Sequence, residues 1–452
     1  MLYRKNIIDI EKWLSESKKA LLVTGARQVG KTHLIETTLQ KNNTNYVKFD
    51  LIENPEVVEV LHSVKTDGVE TLISRLTVLT DKALVPGETV IFFDEIQRFK
   101  EIVTKVKYLV EEGSFRYIFS GSLLGVSLVG LHSAPVGFME TIEMFPLDLE
   151  EFYLAIGLKP ITISQLKTCF NELHPVDPFV HKTLIDAFYN YLVIGGMPEA
   201  VQTYINTHDY NKVMNVHNTI IPQYKLDFTQ YESENKKLHL INTYELIPAE
   251  LNEKNKRYFF SHLDKNLKLD RYQETFEWLN NAGVSISVYN ISEPKLPLLL
   301  SKKSNLFKLF LSDVGLLSSI YGRATIIETL AKKQNLNYGA LFENAVAQEL
   351  HAHGYKGYFF NSKKQGEIDF VIEHENKCIP IEVKSGKDYS VHSALNHVLS
   401  NDNYKIEKAY VLCNENLKVD GKIIYLPIYM VMFFNEKNTP LPDFPAIDLS
   451  DL

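Results

Sequence analysis

Gly25-Ala26-Arg27-Gln28-Val29-Gly30-Lys31-Thr32 decides how the first third of this chain is read. It fits GxxxxGK[ST] at every fixed position, between an apolar run (Leu21-Leu22-Val23) and a helical pattern from Lys31 to Gln40. The spacing has a chemical reason. Two glycines let the backbone wrap around phosphates with its N–H groups pointing inward. A lysine reaches the outer phosphates as a point charge, and the following hydroxyl offers an oxygen to Mg²⁺. The helix that begins there turns its positive end toward the anion.

Working outward, apolar runs recur at Tyr46-Val47-Lys48-Phe49, Val90-Ile91-Phe92-Phe93 and Tyr117-Ile118-Phe119, with helical patterns between them. This alternation predicts an α/β core with a parallel sheet and helices on both faces. Asp94-Glu95 follows the most apolar of these runs. A carboxylate at the end of a buried strand is costly unless it meets a cation. Asp94 is therefore expected to hold Mg²⁺, and Glu95 to polarise an attacking water. The competing reading makes Asp94 a helix cap. Ser120-Gly121-Ser122 ends the next run, and its hydroxyls are expected either to sense a terminal phosphate or to cap a helix.

After Pro146 the strand signals stop. Leu149 to Phe228 reads as helical, broken at Gly195-Gly196-Met197-Pro198, which suggests a lid. Asp270 to Asn281 has helical spacing, with Tyr272, Phe276 and Leu279 on one face and Gly283 as its stop. A strand from Val284 to Tyr289 and another from Phe307 to Leu311 follow, so the order is that of a winged helix. Farther on, a helix from Leu341 to His353 precedes strands Glu367–Glu373 and Ile379–Lys384, joined by a hairpin turn over His374–Lys377.

Whole-chain properties narrow the class. With 452 residues the chain exceeds a single core, and 45% hydrophobic and 23% charged residues are ordinary for a globular protein. The net charge of −8 argues against wholesale polyanion binding. Leu251 to Phe310 departs from it, with ten Lys or Arg against six Asp or Glu, a balance of +4. Lys302, Lys303 and Lys308 there read either as phosphate contacts or as a solvated loop. Cys169, Cys378 and Cys413 are far apart, which points to reduced thiols and a cytoplasmic setting. Met1 to Trp13 lacks the apolar stretch of a signal peptide. Tyr425 to Phe434, interrupted by Pro427, is about half the ~20 residues a membrane span needs, so no membrane association is expected.

With these residues in hand, the chain resembles prokaryotic AAA-type ATPases that carry a C-terminal domain of unknown function with a nuclease-like fold. The resemblance rests on the loop Gly25–Thr32, Asp94-Glu95-Ile96-Gln97, Ser120 to Ser122, Pro146-Leu147-Asp148-Leu149-Glu150-Glu151, Gly195 to Glu199, Lys308 to Gly315, Phe342-Glu343-Asn344, Gly366-Glu367-Ile368-Asp369-Phe370 and Ile381-Glu382-Val383-Lys384. It departs from the family at Gly137-Phe138, where a Gly-Arg pair is usual. The resemblance implies an α/β P-loop NTPase core (1–150), a helical lid (151–235), a winged-helix domain (236–325), a restriction-endonuclease-like α/β domain (326–435) and a tail (436–452).

It also implies ATP and Mg²⁺ as cofactors. Gly25, Ala26, Arg27, Gln28, Val29, Gly30, Lys31, Thr32, Ser120 and Ser122 would hold the nucleotide, and Thr32 and Asp94 the metal. Asp94, Glu95 and Lys31 would carry hydrolysis. Asp369, Glu382 and Lys384, with Glu343 upstream, look like a PD-(D/E)xK nuclease set, in which Glu343, Asp369 and Glu382 would bind a second Mg²⁺. Without the family, the same residues read as a salt bridge on a solvated sheet face. Three functions follow. One is an ATP-dependent enzyme acting on DNA or RNA. Another is an ATPase switch whose inactive nuclease-like domain docks a protein partner or DNA. The third is a transcriptional regulator working through the winged helix. Oligomeric state stays open.

Overall fold

The structure is a computed structural model that describes residues 2–122, 137–230, 234–253, 256–258, 269–333 and 338–436. Most of the expected tail, and the side chain of Tyr272, lie outside these residues. The chain divides into two compact units. The first comprises 1–160, 187–287 and 309–336, and the second 161–186, 288–308 and 337–452.

In the first unit five strands form one sheet. They are β1 (Ala20–Gly25), β2 (Tyr46–Asp50), β3 (Val90–Asp94), β4 (Arg116–Ser120) and β5 (Met139–Met144). Their order is β2-β3-β4-β1-β5, and every neighbouring pair is parallel. Residues in β1 and β3 are buried throughout, as continuous apolar strands covered on both faces should be. Because the strands are parallel, their C-terminal ends fall on one edge, which collects Gly25, Asp94 and Ser120. Phe49, Phe93 and Phe119 stack in turn across β2, β3 and β4 and form the middle of the core. This parallel α/β architecture fits a P-loop NTPase core. β5 carries no apolar run to mark it, because its Met-Glu-Thr-Ile-Glu-Met is that of a half-exposed strand.

The segment read as a lid is helical, with helices Leu149–Ala155, Pro160–Glu172, Pro178–Ile194, Pro198–Thr207 and Tyr210–Gln230. Within the first unit, three of the sequence boxes meet at one junction. Leu147 N–H donates to Gly196 O at 2.7 Å. Gly196 N–H donates to Asp313 Oδ2 at 2.6 Å, and Asp313 Oδ1 caps the helix Val314–Tyr321 through Leu316 N–H at 3.1 Å. The glycines are required here. A Cβ on Gly195 would lie 2.2 Å from Asp313 Oδ1, and one on Gly196 would lie 2.1 Å from Leu147 O.

A second sheet of eight strands, most of whose residues belong to the second unit, runs β12-β13-β11-β10-β9-β8-β6-β7. Its strands are β6 (Ser285–Ile291), β7 (Lys302–Leu311), β8 (Tyr358–Ser362), β9 (Gly366–His374), β10 (Lys377–Val383), β11 (Ala409–Cys413), β12 (Lys418–Asp420) and β13 (Ile423–Pro427). The hairpin expected from His374 to Lys377 is the β9–β10 connection, and the two strands pair antiparallel. Helix Gly339–Ala352 is buried from Ala340 to Leu350.

The winged-helix expectation is not supported by this topology. Helix Leu269–Asn281 and both strands exist, but β6 pairs parallel with β8, and β7 lies beside β6 at the edge of the large sheet. Local order along the chain is the same for both arrangements. The strand partners, some 70 residues downstream (Tyr289 with Tyr358), are what differ. Tyr425 to Phe434 splits into β13 and a short 3₁₀ helix, Ile428–Phe433, both buried. No helix among the described residues is long and apolar enough to cross a membrane.

Candidate functional site

The site grows from the C-terminal edge of the parallel sheet. β1 runs into Gly25, whose φ of 146° and close approach to Met144 (a Cβ would sit 2.3 Å from its carbonyl oxygen) leave room only for glycine. Gln28 and Gly30 also take positive φ, 64° and 92°, so the loop curls before the helix begins at Lys31. A non-glycine residue held at positive φ is a strained conformation of the kind found at ligand clamps. Arg4 braces the loop from outside by donating to Val29 O at 3.1 Å.

Lys31 is buried and donates to Gly25 O at 3.1 Å and Ala26 O at 2.8 Å. Burial pushes its ammonium down to about 8, against the opposing pull of Glu95 and Asp94. Thr32 donates its hydroxyl to Asp94 Oδ2 at 2.8 Å. The loop hydroxyl and the β3 carboxylate therefore meet across 62 residues of sequence.

Asp94 is 2% exposed, and each of its oxygens is engaged. Oδ2 faces Lys48 Nζ at 3.3 Å as well as Thr32, while Oδ1 accepts from Ser120 Oγ and from Glu95 N–H at 3.1 Å. Ser120 thus orients Asp94. Glu95 sits at φ 57°, at the turn where β3 ends. Gln97 bonds it through Nε2 and accepts the Ser122 N–H on its Oε1 at 3.3 Å. Ser122 Oγ is buried and has no hydrogen-bond partner among the described residues.

Helix Tyr210–Gln230 supplies a further layer. Asp227 pairs with Arg27 Nε at 2.8 Å, Gln223 bonds Gln28, and Tyr224 donates to Arg27 O at 3.2 Å. Burial raises the Asp227 carboxyl to about 6, helped by the Glu95 charge and opposed by Arg27 and Lys31. A cavity of about 370 Å³ opens beside the loop, lined among others by Arg4, Val29, His33, Leu34 and Pro198. Gln97, Lys48, Asp227 and Arg4 carry no role in the sequence reading. Only Gln97 stood inside a quoted box.

The donor set suits the implied groups. A hydroxyl and a carboxylate are hard oxygen donors of the kind Mg²⁺ takes. The curled loop, its helix N-terminus and the orphaned Ser122 hydroxyl suit a polyphosphate. Phe138, where the family usually has Arg, uses its carbonyl to accept the Ala20 N–H and packs against the core, so this position supplies no cation.

The second set of expected residues lies in the second unit, and the structure brings it together. Glu382 and Lys384 pair at 2.9 Å. Glu343 and Asp369 gather around Lys308, at 3.5 and 3.9 Å from its Nζ, and Glu367 joins them at 2.8 Å. Lys308 is fully buried, so it belongs to neither the exposed phosphate contact nor the solvated loop expected for it. Lys302 and Lys303, at the start of the same strand, are not buried.

Comparison with known proteins assigns three stretches of the chain. Residues 17–153 match the family described as an AAA domain. Residues 185–325 and 338–431 match two domains of unknown function, DUF8612 and DUF4143. No curated protein matches. Among solved structures, the Walker-type ATPase paby2304 of Pyrococcus abyssi is similar with a TM-score of 0.43 and 14% identity, over 71% of this chain and 96% of that one. The first unit thus carries an AAA-type domain with a P-loop, and the match to the AAA domain supports ATP binding and hydrolysis.

Proposed function

We propose that the first unit binds ATP with Mg²⁺ and hydrolyses it, and that its nucleotide state governs how the second unit engages a partner. The observation that carries the reading is the Thr32–Asp94 hydrogen bond of 2.8 Å, which joins the loop hydroxyl to the β3 carboxylate at the head of the loop helix. Thr32 and Asp94 are the residues that would hold Mg²⁺, which supplies charge neutralisation to the phosphates when bound. The backbone N–H groups from Ala26 to Thr32 cradle phosphate, and Lys31 exchanges its two carbonyl partners for phosphate oxygens.

Glu95 is the general base, poised at the strand end to take a proton from water. Gln97 holds it in place. Ser122 reads the terminal phosphate through its free hydroxyl, and Ser120 fixes the rotamer of Asp94. The cavity beside Val29 and His33 takes the adenine, because it is apolar, adjoins the loop and falls in the size range of ligand pockets. Calorimetric titration with MgATP tests the reading. Wild-type protein binds, and Lys31→Ala loses affinity by at least about tenfold. Equal affinity in the two proteins would show that the loop is not the site.

For the second unit, a docking role is favoured over cutting of DNA or RNA. The carboxylates and Lys384 that would support cutting do assemble, but an internal ammonium stands among them.

A further inference from the structure

The carboxylates of the second unit come from three elements. Glu343 lies on helix Gly339–Ala352, Glu367 and Asp369 on β9, and Glu382 at the end of β10. Glu367 and Asp369 are two apart on one strand and face the same way. Asp369 stands one register step beyond the Ile381–Phe370 pair, opposite Glu382, and its Oδ2 accepts the Val383 N–H at 2.9 Å. Glu343 and Glu382 are buried and Glu367 and Asp369 are partly exposed, and carboxylates gathered at such a place need positive charge among them.

Lys308 supplies it. Its Nζ lies 2.8 Å from Glu367 Oε1, 3.5 Å from Glu343 Oε2 and 3.9 Å from Asp369 Oδ1, with the Phe359 ring 5.1 Å away. The side chain is 0% exposed, so it cannot turn out to solvent. A Mg²⁺ ion coordinates carboxylate oxygens at about 2.0–2.1 Å. The ammonium already stands 3.5 and 3.9 Å from the Glu343 and Asp369 oxygens that such an ion would take.

We propose that Lys308 is the resident cation of this cluster, taking the place of the divalent metal that the nuclease-like pattern implies, so that the second unit neither binds Mg²⁺ or Mn²⁺ there nor cuts phosphodiesters. Lys384 remains paired with Glu382, whose second oxygen is buried without a hydrogen-bond partner among the described residues. Lys308 ties β7 to β9 and to helix Gly339–Ala352 through these ion pairs. This assignment concerns the second unit alone and stands whether or not the first unit hydrolyses ATP.

The test uses the full chain without nucleotide and Mn²⁺ as probe, read by electron paramagnetic resonance and by thermal unfolding. Wild type and Asp369→Asn are expected to give the same weak Mn²⁺ binding and the same absence of a melting shift. Lys308→Met, which keeps the length and removes the charge, is expected to melt lower, to bind one Mn²⁺ and to regain melting temperature on adding it. A wild-type protein that binds one Mn²⁺, and loses it in Asp369→Asn, overturns the proposal. So does a folded Lys308→Met that takes up no Mn²⁺, because the lysine would then not be what keeps metal out. If Lys308→Met does not fold, the comparison of wild type with Asp369→Asn decides alone.

Discussion

Replacing Gln97 by Ala removes the side chain that ties Glu95 to Ser122. Gln97 is 5% exposed, bonds the Glu95 carboxylate through Nε2 and accepts the Ser122 N–H at 3.3 Å. Glu95 itself sits at φ 57°, so nothing in regular secondary structure fixes its direction. A general base contributes about 10²–10⁴ to a rate, and a misplacement of about 1 Å can cost about 10² of it. Gln97→Ala should therefore lower kcat by about 10- to 100-fold. KM for MgATP should stay within about twofold, because neither the loop nor Asp94 is touched. Losing the acceptor for one buried N–H costs about 1–3 kcal/mol of stability, so melting should be compared alongside. Steady-state ATP hydrolysis with a circular dichroism melt is the assay. A wild-type kcat, or a loss confined to KM, would refute the positioning role.

Three further outcomes follow from the same geometry. Asp313→Ala strips acceptors from the Gly196 and Leu316 N–H groups and should destabilise by about 3–5 kcal/mol in urea titration; a change below about 1 kcal/mol would show that the junction is not structural. Asp227→Asn removes a negative charge that interacts with Lys31 and should tighten MgATP binding by about 1 kcal/mol, roughly fivefold, in calorimetry. Because the folded Asp227 carboxyl is raised to about 6 from an ordinary value of 3.8, the folded chain holds its proton where the unfolded chain has lost it. This group therefore makes stability fall as pH rises from about 4 to about 6, and Asp227→Asn should remove that part of the slope in urea midpoints. An unchanged slope would show that burial does not raise the Asp227 carboxyl.

Much of the first unit was legible because its chemistry is local. Gly25 to Thr32 states its own loop geometry, and a carboxylate after Val90-Ile91-Phe92-Phe93 announces itself by its cost. What sequence could not reveal is which distant side chain arrives at that edge. Lys48 reaches Asp94 only because β2 lies beside β3, and Asp227 reaches Arg27 from 200 residues away. The strand β5 stayed hidden because its alternating Glu and Thr belong to a half-exposed edge. Lys308 misled for a related reason. It follows Lys302 and Lys303 in sequence, but β7 passes from solvent into the core between them, and a charge run carries no information about depth. The winged-helix reading was reasonable from element order, and it failed to foresee that β6 would pair with β8.

The central claim is that Lys31 binds ATP and that Glu95 hydrolyses it, and single-turnover hydrolysis of labelled MgATP by wild type, Lys31→Ala and Glu95→Gln tests it most directly. The account predicts that wild type binds and turns over, that Lys31→Ala does neither, and that Glu95→Gln retains bound ATP while hydrolysing it at least about 10²-fold more slowly. Hydrolysis by Lys31→Ala at the wild-type rate, or by Glu95→Gln without loss, would contradict it.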